Sequence, residues 1–115
     1  MVSFRFRTRD PSRDRNTDTQ RQARLTQFLG QLRSEIDGEA RGLRDRYESA
    51  QTSAAFAYEA AEDGADSRLA LKADLSAQAM SRYGDRLANL RRQSELLGKL
   101  ESDATQLAAG TTADA

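Results

Sequence analysis

Apolar residues recur along this chain in two runs whose steps alternate between three and four. The first run comprises Leu25, Leu29, Leu32, Ile36, Ala40, Leu43, Tyr47, Ala50, Ala54, Ala57 and Ala61. The second comprises Leu69, Ala73, Ser76, Met80, Tyr83, Leu87, Leu90, Ser94, Leu97, Leu100, Ala104 and Leu107. That spacing draws a single stripe along a helix, so each run predicts one long helix with one buried seam. One additional step of four separates Ile36 from Ala40, a stutter that relaxes the supercoil locally without ending the helix.

The two runs mirror each other. Residue numbers of facing positions sum to about 130, as in Ala57 with Ala73, Ala54 with Ser76, Ala50 with Met80, Tyr47 with Tyr83, Leu43 with Leu87 and Ala40 with Leu90. After a shift of one number the ladder continues through Leu32 with Leu97, Leu29 with Leu100 and Leu25 with Ala104. A constant sum is the mark of an antiparallel hairpin, because each step outward on one helix is matched by a step outward on the other. The midpoint falls at Ala65 within Glu62–Ser67, where Gly64 supplies a helix stop and Asp66 or Ser67 a cap for the next helix. The predicted fold is all-α: an antiparallel two-helix coiled-coil hairpin with an extended N-terminal arm.

Three segments follow. Residues 1–16 read as the arm, because Val2, Phe4 and Phe6 alternate with Ser3, Arg5 and Arg7 at the two-residue period of a strand, and Pro11 interrupts what comes next. Residues 17–108 form the hairpin, with helix 1 over about 18–62, a turn at 63–66 and helix 2 over about 67–107. Thr17 with Gln20 three residues on resembles a capping box, which sets the expected start of helix 1. Residues 109–115 have no apolar periodicity and are expected to be disordered. On the outer faces, pairs such as Asp37 with Arg41 and Arg91 with Glu95 sit four apart and each add a few tenths of a kcal/mol. Gly30, Gly38, Gly42, Gly84 and Gly98 act the other way, each costing about 1 kcal/mol relative to alanine inside a helix.

A chain of 115 residues that is 37% hydrophobic and 31% charged forms at most one domain and cannot hide a thick core. A lone seam buries too little apolar surface to offset the ordering entropy, so self-association into a bundle is expected. The 18 basic and 18 acidic residues balance, yet they are not spread evenly. Seven arginines lie in the first 24 residues, whereas Glu59, Glu62, Asp63 and Asp66 cluster at the predicted turn. This distribution implies a basic open end and an acidic tip.

Catalysis is the function class that composition weakens most. With neither histidine nor cysteine, the usual general base, nucleophile and transition-metal ligands are missing. The acidic tip offers carboxylates to a hard cation, but di-metal sites in helical bundles draw on Glu-x-x-His, which this chain lacks. A solvated turn or a docking patch for a basic partner is the expected role of these residues. The reading is therefore a protein that is not an enzyme, with no catalytic residue, metal, cofactor or small-molecule substrate.

Two surfaces remain as candidates for interaction. The arm offers Val2, Phe4 and Phe6 as a hydrophobic strand beside Arg5, Arg7 and Arg9, suited to docking on protein. As an alternative, the same arginines and rings suit nucleic-acid contact, although Asp10 and Asp14 interrupt the run. A further alternative is an anionic membrane surface. Near the tip the seam thins to alanine while Leu71 and Leu75 form a stripe on the far side of helix 2, and Phe56 and Tyr58 project from the flanks of helix 1. With Glu59, Glu62, Asp63 and Asp66, they make the second candidate surface. The expected function is a structural, assembly or adaptor subunit, of the kind found in filaments, sheaths and secretion or flagellar-type machines, by analogy of shape. The opening MVSFRFRTRD lacks the apolar stretch of a cleaved signal and no run is long enough to span a bilayer. The expected location is the cytoplasm, or the exterior by a route without a cleaved signal.

Overall fold

The computed structural model describes residues 10–63 and 67–113, and it consists of two helices that pack antiparallel as a hairpin. Helix α1 spans Pro11–Asp63 and helix α2 spans Ser67–Ala113. The arm residues Val2, Phe4, Arg5, Phe6, Arg7 and Arg9, and the turn residues Gly64, Ala65 and Asp66, lie outside the described residues.

Helix α1 starts seven residues earlier than its capping-box signal predicts, so residues 11–16, expected in the arm, belong to the helix. Asp10 is the N-cap: its Oδ1 accepts a hydrogen bond from the Ser12 N–H at 3.0 Å, and its carbonyl accepts the Asp14 N–H at 3.1 Å. Pro11 then occupies the first helical position, where its missing N–H costs nothing and its fixed φ suits the helix. The Asp14 carboxylate in the first turn complements the positive end of the helix dipole. The proline that reads as a breaker is thus an initiator. At the other end α2 continues to Ala113, beyond the expected stop near Leu107. Extending a formed helix adds one hydrogen bond per residue fixed, and the Ala108–Ala109 pair favours that extension.

The hairpin divides into two compact units. One joins α1 up to Leu32 with α2 from Leu96 onward, and the other comprises Arg33–Glu95. In the second unit the buried positions are Leu43, Ala54, Ala57, Ala73 and Leu90. Leu90 is the largest fully buried side chain, and burying one leucine contributes about 1.5–3 kcal/mol. Ala54, Ala57 and Ala73 bury little more than one methyl each, about 0.8 kcal/mol on the same scale. Stabilisation in this unit is accordingly concentrated around Leu43 and Leu90, and the alanine stretch adds close approach more than energy.

In the first unit Leu29, Leu97 and Ala104 are buried, as the ladder predicts. Leu25, Leu100 and Leu107, also assigned to the seam, instead stand 40%, 42% and 56% exposed. The covered face of α2 here runs through Leu97, Glu101, Ala104 and Ala108. Both that series and Leu97, Leu100, Ala104, Leu107 satisfy alternating steps of three and four. A modest rotation about the helix axis separates them, and packing selects the one that carries fewer leucines.

Candidate interaction surfaces

The exposed leucines of the first unit do not scatter. Leu25, Phe28, Leu29 and Leu32 of α1 face Leu97, Leu100, Ala104 and Leu107 of α2 across a groove of about 340 Å³, with Asp103 as its one charged lining residue. On α1 the lining residues follow steps of three and four. On α2, Leu96, Leu100, Asp103 and Leu107 line up along one stripe by the same spacing. Phe28 is 56% exposed and Leu96 58%. The groove exists because the seam rotated: had α2 turned Leu100 and Leu107 inward, the hairpin would have filled it.

A second groove, also about 340 Å³, lies in the unit Arg33–Glu95 and has a different character. Ile36, Ala40, Leu87 and Leu90 form its floor with Ser94, and Asp37, Arg44, Arg91 and Glu95 surround it. It opens where the stutter coincides with the small residues Ala40 and Ser94, which leave the inter-helix space unfilled. Charges of both signs around a short apolar floor make a solvated depression there.

Of the candidate residues of the tip, the structure describes the side chains of six. Phe56, Tyr58, Leu71 and Leu75 are all exposed, and so are Glu59 and Glu62. The Asp63 side chain and Asp66 lie outside the described residues. Leu71 and Leu75 sit one turn apart and form a continuous strip on α2. Phe56 borders a depression lined by Gln51, Thr52, Ala55 and Glu59, all from α1. Tyr58 lies two residues from Phe56, which on a helix turns it to a different side. The tip therefore offers small apolar elements on single helices, whereas the unit that joins α1 up to Leu32 with α2 from Leu96 offers a groove built by both helices.

A charged contact ties the helices across the seam. The Arg86 guanidinium donates to both carboxylate oxygens of Glu39, Nε to Oε2 at 2.6 Å and Nη2 to Oε1 at 3.0 Å. This hydrogen bond, reinforced by the positive charge, holds the Glu39 carboxyl below its ordinary value and raises the Arg86 guanidinium above its own. The apolar ladder points to neither residue, yet the sequence carries their signal: Glu39 precedes Ala40 and Arg86 precedes Leu87, the flanking positions at which coiled coils place complementary charges.

Among the described residues no group of three acidic side chains gathers to hold a metal ion, and no helix is long and apolar enough to cross a membrane. No protein-family model matches this chain, and no curated protein or solved structure does so either.

Proposed function

We propose that this chain is a non-enzymatic assembly or adaptor subunit that acts through helical packing, serving a structure such as a filament, a sheath or a secretion-type apparatus. The observation that carries the reading is the distribution of large apolar side chains. Among the described residues nine stand exposed, whereas only the four leucines Leu29, Leu43, Leu90 and Leu97 are buried among the large ones. Scattered exposed apolar residues are ordinary on any protein. Here they exceed the buried set and five of them, Leu25, Phe28, Leu96, Leu100 and Leu107, border one groove or its rim. A hairpin that leaves nine large apolar groups exposed against four buried leucines, with seven more only half-buried along the seam, gains stability by packing against other protein.

The arm, with Val2, Phe4 and Phe6, is read as a further docking element, and the acidic residues at the tip as a solvated or partner-facing patch. Site-specific photo-crosslinking in the cells that make the protein tests this reading. A crosslinking residue at Phe28, Leu100 or Leu71 should yield discrete crosslinked protein species, and one at the exposed polar position Gln93 should not. Absence of any protein crosslink at all three apolar positions would refute an assembly or adaptor role.

A further inference from the structure

We infer that the groove between Leu25–Leu32 and Leu97–Leu107 is a self-docking surface, and that its occupant is the same groove of a second copy of this chain. The inference rests on the assembly reading above and names the partner and the face. Three observations lead to it.

The first is reach, which rules on the chain's own arm as occupant. Extended backbone covers at most about 3.6 Å per residue, and a helix rises about 1.5 Å per residue. Leu25 lies 15 residues into the chain from Asp10, roughly 22 Å along α1, and Phe28 lies roughly 27 Å along it. Phe6, four residues before Asp10, extends at most about 14 Å back along α1, and Phe4 at most about 22 Å. Fully stretched, the arm brings Phe4 only to the near edge of the groove and leaves Phe6 short of it. Of Val2, Phe4 and Phe6, Val2 alone extends to the level of Phe28.

The second is area. At roughly 180 Å² for a large apolar side chain, the exposed shares of Leu25, Phe28, Leu96, Leu100 and Leu107 amount to roughly 450 Å² per chain. Two copies together would bury about twice that. With the usual polar rim around an interface core that is about 65% apolar, the total approaches roughly 1,400 Å². Stable interfaces bury about 1,200–2,000 Å², so a face-to-face pair falls within that class without recruiting any other surface.

The third is charge. Arg24 precedes Phe28 by one turn on the outer flank of α1, and Asp103 lies between Leu100 and Leu107 on the outer flank of α2. By the mirror register Asp103 is level with about Thr26, within one turn of Arg24. A two-fold axis parallel to the helices sets α1 of each copy against α2 of the other, antiparallel, and brings each Arg24 beside an Asp103. The groove is thus complementary to itself in sign as well as in hydrophobicity, as an isologous contact requires.

Light scattering on the full chain over a range of concentrations tests the inference, with helicity followed by circular dichroism. The wild-type chain should show a mass twice its 12.7 kDa. Phe28→Glu with Leu100→Glu should raise the dissociation constant by on the order of 100-fold or more, because apposed charges would be buried in an apolar contact. Both positions are exposed in the single hairpin, so helicity should persist. Asp103→Arg should weaken the dimer about tenfold, and adding Arg24→Asp should restore it. A wild-type chain that stays monomeric throughout overturns the inference, as does binding of the dye ANS that rises when residues 1–9 are deleted from a monomer, which would make the arm the occupant. A dimer that survives the Phe28 and Leu100 changes but dissociates on Leu71→Glu with Leu75→Glu also overturns it. The assembly reading outlives each of these outcomes, since it fails only if no protein crosslinks to any of the apolar positions.

Discussion

Four glycines inside the helices carry the most quantitative prediction. A Cβ built at Gly30, Gly38, Gly42 or Gly84 meets nothing within 4 Å. None of these residues has a positive φ, so alanine fits each backbone conformation without strain. The expected gain is then the helix propensity difference itself, about 0.8–1 kcal/mol per site, arising mainly from lost freedom in the unfolded chain. Changing all four to alanine should stabilise the hairpin by about 3–4 kcal/mol if the sites act independently. Gly38 and Gly42 are one turn apart, so coupling there alters the sum by about 0.5 kcal/mol. For a chain of this length each kcal/mol moves the midpoint by about 4 °C, giving a rise in Tm of about 12–16 °C. Thermal melts followed at 222 nm read this directly, provided chain concentration is held fixed, because association makes Tm concentration-dependent. An unchanged or lowered Tm would refute the reasoning. It would mean that something packs against these positions closely enough to exclude a methyl group, and single substitutions would show which pair is covered.

Two further predictions concern the helix start and the charged contact. Asp10→Ala removes the N-cap of α1 and should cost about 1 kcal/mol in chemical denaturation, while Thr17→Ala, at the capping box read from sequence but inside the helix, should be neutral or gain roughly a few tenths of a kcal/mol; a larger loss at Thr17 than at Asp10 would place the start at Thr17. For Glu39, a folded-state pKa below the ordinary 4.5 means that the unfolded chain binds the proton more tightly. The stabilising contribution is therefore fully present above that value and is lost as pH falls through the depressed folded pKa. Wild type should exceed Glu39→Gln in Tm at neutral pH and low salt, with the gap closing in acid and at high salt; a gap that is unaffected by pH would show that the contact does not act through the carboxylate charge.

Much of the fold is legible in the spacing of apolar residues because helical packing has few solutions. The steps from Leu29 through Ala57, and from Ala73 through Leu97, coincide with buried or half-buried positions, and the thinning from leucine to alanine toward the tip is real. What the pattern misjudged shares one cause, the presence of two locally acceptable answers. Leu100 and Leu107 satisfy a heptad as well as Glu101 and Ala108 do, and hydrophobicity favours the leucines. Only the rotation of α2 against α1, a property of the whole contact, decides between them. At Pro11 the same residue type stops a helix from within and starts one from its first position, and the distinguishing element is the preceding Asp10. The candidate surfaces divide similarly. The exposed Phe56, Tyr58, Leu71 and Leu75 are legible as residues outside the seam, whereas the groove is hidden in the sequence because its leucines also fit the seam. The Glu39–Arg86 pair required the flanking positions to be read across two helices at once.

Each proposal depends on α1 and α2 folding back on one another in the mirrored register, and a single distance tests that most directly. The chain contains no cysteine, so Gln27→Cys with Ser102→Cys places two spin labels at matching levels of the two helices. With helix axes about 8–10 Å apart and allowance for the label arms, electron–electron double resonance on labelled chain diluted into unlabelled chain should show one distance of about 15–25 Å. A continuous helix would separate the same residues by roughly 110 Å. Loss of the short distance on dilution would contradict the hairpin, and the groove with it.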